Sequence, residues 1–269
     1  MGMKEVILSS TSNTTLAQFA TAIASGEIKV IDLTQTLSED TPTLVLPPEF
    51  GQCAPFSREE ISRYDERGVA WYWSNFTVGE HTGTHFDAPI HWISGKDLAG
   101  NTVDALPPAD LIAPAVVIDC SAEAAADPDF LLTVAHLEAW EARHGRIPPR
   151  SWVLFRTDWS KRTGDDYTNR REDGAHTPGP STEAVQFMVD QRDAIGFGVE
   201  TIGTDAGQAH FLTPAYPAHT LFHAAGRYGL QCLENLDLLP PTGAVIVAPP
   251  LKIRDGSGSP LRVLALVTA

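Results

Sequence analysis

The sequence predicts a single domain of α/β class. Apolar, β-branched runs of strand length recur along the chain, and segments with helically spaced apolar residues fall between them. No repeat, low-complexity tract or linker divides the 269 residues. Strands that alternate with helices bury their apolar faces against one another. A chain of this length can build one large core.

The first element is a helical arm over residues 1–26. In NTTLAQFATAIASGE, Leu16, Phe19, Ala20 and Ile23 share one helical face, Thr14 or Thr15 can cap the start, and Gly26 can end it. IKVIDL then alternates and is β-branched, so a strand follows. DTPTLVLPPEFGQ (40–52) carries three prolines and reads as a loop. VAWYWSNFTV (69–78) reads as a strand with aromatic residues on both faces. AVVIDC (115–120), WVLFR (152–156), AVIVAP (244–249) and LRVLALV (261–267) are continuous apolar runs, expected to be buried strands. Between them, TVAHLEAWEARHG (133–145) and STEAVQFMVDQRD (181–193) have helical spacing and caps. AIGFGVETIGTD after the second helix is another strand-like run.

Composition excludes several classes. A hydrophobic fraction of 43% fits a soluble globular protein, and a formal net charge of -15 repels phosphate backbones and anionic lipid. Nucleic acid and membrane are therefore not expected partners. Cys53, Cys120 and Cys232 form no CxxC pair, so buried free thiols in a reducing cytoplasm are expected. MGMKEVILSS has only a short apolar run, Val6 breaks the myristoylation pattern, and no run approaches membrane-spanning length.

The stretch that carries chemistry is HTGTHFDAPIHW (81–92). His81, His85, Asp87 and His91 are all separated by even numbers, so on an extended chain they project from one face. Gly83 and Pro89 argue against a continuous helix and for an extended segment with a tight bend. Two imidazoles and one carboxylate make a three-ligand set that leaves positions for water and substrate. His91 is then placed to act as a base toward metal-activated water. A lone histidine such as His136 or His144 is an ordinary surface or core residue. GFGVETIG lacks dinucleotide-binding spacing, SGSP is no nucleophile elbow and SGKD is no phosphate loop.

HTGTHFDAPIH resembles the HxGTHxDxPxH signature of the metal-dependent cyclase family, which includes bacterial kynurenine formamidases. The resemblance continues through RTDWSKR (156–162), VETIGTDAG (199–207), HTLFHAAG (219–226) and ENLDLLP (234–240). TLVLPPEFGQC, WYWSNF and GRYGLQCL point to its isatin hydrolase branch. The resemblance implies a swivelling β/β/α-type fold, a homodimer or higher oligomer, His81, His85 and Asp87 as metal ligands, and His91 as catalytic histidine. The formamidase branch has a histidine followed twelve residues later by a glutamate, both serving a second zinc. Here those positions hold His219 and Gln231. A neutral amide does not offset a second dication, so one ion per chain is expected, Mn2+ with Zn2+ as the alternative. His219 is left for substrate contact or proton handling, and Gln231 for substrate contact.

The implied reaction is hydrolytic opening of the lactam of isatin, an aromatic indole-dione, to isatinate. Trp71 and Trp73 share parity and are expected to line one side of the pocket, whereas Trp92, Trp140 and Trp152 are read as core. An arylformamidase acting on N-formylkynurenine, a non-haem iron oxygenase and a non-catalytic metal-binding protein stay open as alternatives.

Overall fold

The computed structural model describes residues 14–269. The helical arm appears as α1 (Thr14–Ser25), closed by Gly26 at φ +81. Its residues 1–13 lie outside the described part. The apolar face read from Leu16 and Phe19 is not packed, and no residue of α1 is buried.

The strands of three or more residues follow in order as β1 (Ile28–Asp32), β2 (Ser57–Asp65), β3 (Gly68–Thr77), β4 (His85–Asp87), β5 (Ile112–Asp119), β6 (Trp152–Arg156), β7 (Gly196–Val199), β8 (Tyr228–Gln231), β9 (Ala244–Val247), β10 (Gly258–Pro260) and β11 (Leu264–Thr268). Nine of them form one sheet in the order β1-β11-β9-β5-β6-β7-β8-β4-β10. β5, β6, β7 and β8 run parallel, and antiparallel strands flank them on both sides. β2 and β3 stand apart as a hairpin. The described chain is thus a mixed α/β structure around one sheet.

The central strands are continuous apolar runs because both faces are covered. Trp152 and Leu154 of β6 join a core with Phe86, Leu230 and Ile246, while Val153 and Phe155 face the opposite way, toward Leu137, Trp140, Met188 and Phe222. Leu137 and Trp140 come from α2 (Val134–His144), where Thr133 and His136 form a reciprocal cap. Met188 follows α3 (Thr182–Gln186), which starts at the Ser181 hydroxyl and widens into a π-turn over Phe187–Gln191. Among the described residues no helix is long and apolar enough to cross a membrane.

β2 was not legible as a strand. SREEISRYD has no apolar alternation, because most of the hairpin faces solvent. β4 and β10 have three residues each, too few to show a period.

Candidate metal centre

Strand β4 sits between β8 and β10, with Gln231 and Pro260 opposite His85, and Gly229 and Gly258 opposite Asp87. Gly229 admits the carboxylate, and Gly258 admits the His81 ring. A Cβ on Gly229 would stand 3.0 Å from Asp87 Oδ2. Before the strand, Gly83 takes φ +62, and the Thr84 hydroxyl, accepting from Gln35 N at 2.9 Å, donates to Cys232 O at 2.6 Å. After it, Pro89–His91 forms a 3-10 turn, with His91 N donating to Ala88 O at 2.9 Å.

The expected single extended face is therefore corrected. Only His85 and Asp87 share a strand face; His81 arrives through the bend at Gly83 and His91 through the turn started at Pro89. All four groups still converge. His81 Nδ1 is 2.7 Å from Asp87 Oδ1, His85 Nε2 is 3.5 Å from the same oxygen, and the His91 ring lies 3.8 Å from the His81 ring. His219 joins them from the π-turn Ala218–Phe222, its Nε2 3.8 Å from Asp87 Oδ2. Gln231 donates its amide to Asp87 Oδ2, so its polar end is committed to the carboxylate.

Burial works in opposite directions on these groups. It would raise the carboxyl of Asp87, which is 0% exposed, but His91, His81 and His85 outweigh it and hold that group well below the usual carboxylate range. Burial lowers His85 to about 4, His91 to about 3 and His223 to about 4. These imidazoles are neutral at neutral pH, the form that binds metal or accepts a proton. For His219, burial opposes charging, yet Asp205 overcomes it and raises the pKa. Asp205 accepts from Ala218 N at 2.7 Å and His219 N at 3.1 Å, and lies 2.6 Å from His219 Nδ1.

The donor set fits a divalent ion. His85 Nδ1 donates to Gly83 O at 2.7 Å, which leaves the Nε2 lone pair facing Asp87 Oδ1. Two electron pairs aimed at each other in a buried site call for a cation between them. Ligand atoms about 2.1 Å from one ion lie about 3.0 Å apart at an octahedral angle and about 3.4 Å apart at a tetrahedral one. The observed 2.7 and 3.5 Å bracket those spacings.

The remaining expectations divide. Trp140 and Trp152 are core, as read. Trp92 is only half-buried, and its ring lies 4.8 Å from that of His219, so it belongs to the site rather than to the core. Trp71 and Trp73 project from the β2–β3 hairpin at 50% and 56% exposure, and among the described residues neither ring meets the histidine cluster. Asp205, Glu80 and Ser257 were missed, and of these only Asp205 lay inside a stretch that the resemblance had marked; His223, inside HTLFHAAG, had been left without an assigned role.

The sequence model described as putative cyclase matches residues 31–206. The chain belongs to the cyclase family. An isatin hydrolase from Roseibium aggregatum is 49% identical over 255 residues, covering 94% of this chain and 97% of its own. Isatin hydrolase A from Ralstonia solanacearum superposes with a TM-score of 0.95 at 62% identity, over 96% of this chain and 99% of its own. An isatin hydrolase bound to the product analogue thioisatinate gives 0.93 at 46% identity, over 97% and 100%. This cyclase-family chain thus shares its fold with isatin hydrolases, and its own His/Asp cluster has the chemistry to bind a metal.

Proposed function

We propose that the chain is a metal-dependent cyclic amidase that opens the lactam of isatin to isatinate, with His81, His85 and Asp87 holding one manganese ion and zinc as the alternative. The observation that carries this reading is the neutral His85 Nε2 turned onto the buried Asp87 carboxylate, in a chain 49% identical to an isatin hydrolase. A divalent ion bound there supplies a Lewis acid for the lactam carbonyl and lowers the pKa of a water.

The protein's own groups do the rest. His91, neutral and with its ring 3.8 Å from that of His81, accepts a proton from the water whose oxygen joins the carbonyl carbon. As the C–N bond breaks, the same imidazole returns the proton to the departing aniline nitrogen. His219, oriented by Asp205, faces the same space from the other side of Asp87 and offers Nε2 to the substrate or to a proton in transit. Gln231 keeps Asp87 in place by donating to the oxygen away from His81 and leaves no carboxylate for a second ion. Trp92 gives a flat substrate an aromatic wall beside His219.

The enzyme acts as a homodimer in this reading. Trp71, Trp73 and Phe76 leave an exposed aromatic surface on the hairpin, which a second copy would cover. Three free thiols agree with a reducing cytoplasm.

The test compares substrates. Manganese-loaded protein is expected to consume isatin, followed by its absorbance, far faster than N-formylkynurenine. Faster turnover of the formamide would move the assignment to the arylformamidase reaction.

A further inference from the structure

Ser257 opens the SGSP stretch that resembles no nucleophile motif. In the fold its hydroxyl stands between two groups from the other end of the chain. Ser257 Oγ is 2.6 Å from Glu80 Oε2 and 2.8 Å from His81 Nε2, across 177 and 176 residues of sequence. The Ser257 backbone N–H donates to the same Glu80 oxygen at 3.1 Å, and Ser257 O accepts from Ala88 N at 2.9 Å, so the residue is pinned on both sides.

The direction of these bonds follows from counting protons. A hydroxyl has one proton and a carboxylate only accepts. The Ser257 proton therefore goes to Glu80, and the Ser257 oxygen is left to accept from His81. That puts the imidazole proton on Nε2 and leaves Nδ1 as a bare lone pair 2.7 Å from Asp87 Oδ1. The conflict matches the one at His85, reached there because Nδ1 donates to Gly83 O.

We infer that Glu80 and Ser257 are positioning residues of the metal centre, which hold the His81 proton on Nε2 so that His81 offers Nδ1 to the ion while His85 offers Nε2. The inference rests on the metal-centre reading above. A ligating histidine that donates its other N–H is fixed in tautomer and ring orientation. The packing agrees, since a Cβ on Gly258 would stand 2.6 Å from His81 Cε1. The His81 ring cannot swing toward that strand.

Ser257, His81 and Asp87 also line up in the order of a nucleophilic serine relay. That relay needs the hydroxyl to donate to the imidazole. Here the hydroxyl proton is engaged by Glu80, and Nε2 is itself the donor.

Ser257→Ala should have two effects of opposite sign. Freed from Ser257, His81 can move its proton to Nδ1 and donate it to Asp87, so the metal-free variant should melt no lower than the metal-free parent. Manganese affinity, measured by titration against a chelator, should fall about 10–100-fold, because the ion must then displace that proton. Glu80→Ala, which removes the acceptor and frees the Ser257 proton for His81 Nε2, should weaken manganese in the same direction and serves alone if Ser257→Ala does not fold. A merely structural role would lower metal-free melting as well. Manganese binding at parent affinity in either folded variant overturns the inference. So does a Ser257→Ala variant that keeps its metal and loses all turnover, the outcome a nucleophile would give. If the parent itself binds neither manganese nor zinc, the metal-centre reading fails instead, and the two failures are told apart.

Discussion

Gln231→Glu converts a hydrogen-bond donor into a second carboxylate at almost the same volume. The parent amide donates to Asp87 Oδ2 inside a site where Gln231 is 3% exposed. Two like charges about 4 Å apart at an effective dielectric of about 20 repel by about 4 kcal/mol. Losing a donor to a charged acceptor adds about 1.5–3 kcal/mol. Together these come to about 5.5–7 kcal/mol, as much as the whole stability of a domain near the lower end of the usual range of about 5–15 kcal/mol, so the metal-free variant must protonate one carboxyl or unfold readily. A second cation relieves the strain, because Asp87, His91 and His219 already offer ligand atoms within 4.8 Å of one another. Elemental analysis is expected to rise from about one ion per chain to about two. A chelator should lower the melting temperature of the variant much further than that of the parent. A variant that binds one ion and answers the chelator as the parent does would refute the claim that Gln231 sets the metal count.

Three other substitutions probe separate parts of the account. His91→Ala should keep the metal and lose turnover by about 10²–10⁴-fold, read as kcat on isatin with metal content measured in parallel. Asp205→Asn should keep metal and fold but reduce kcat by about 10–100-fold, since the amide no longer holds the His219 tautomer; an unchanged kcat would remove His219 from the reaction. Glu141 accepts from Arg192 at 2.6 and 2.7 Å in a nearly buried pair, and the hydrogen bond from Arg192 holds its carboxyl below the ordinary 4.5. That contribution is complete above the unfolded-state pKa and is lost as pH falls through the lower folded value. Glu141→Gln should therefore cost about 3–5 kcal/mol in neutral solution, with the two denaturation curves converging as the medium becomes strongly acidic.

The heart of the site was legible because it is local. His81, His85, Asp87 and His91 fall within eleven residues, and their chemistry survives a wrong idea of the backbone between them. Their even spacing is that of one strand face, but a bend at Gly83 and a turn at Pro89 deliver two of them. Of their partners, Ser257 was hidden because it comes from far along the chain, whereas the equally distant His219 and Gln231 were found through the resemblance. Ser257 reaches His81 across 176 residues, and nothing in SGSP announces an acceptor for an imidazole. In the fold, β8, with Gly229 and Gln231 in its four buried residues, was not read as a strand, whereas the buried strands β5, β6 and β7 declared themselves through apolar runs. The polar strand β2 did not, because a hairpin wet on most of its surface needs no hydrophobic period. The apolar stripe of α1 was read correctly as a pattern, yet in the described chain it meets no core.

The most direct test of the metal centre is a manganese titration of isatin turnover in the metal-free chain and in His85→Ala. The account predicts activity that is absent without metal, rises to a break at about one ion per parent chain, and stays absent in His85→Ala at the same manganese concentrations. Full turnover in the metal-free parent, or parent-like activation of His85→Ala, would contradict it.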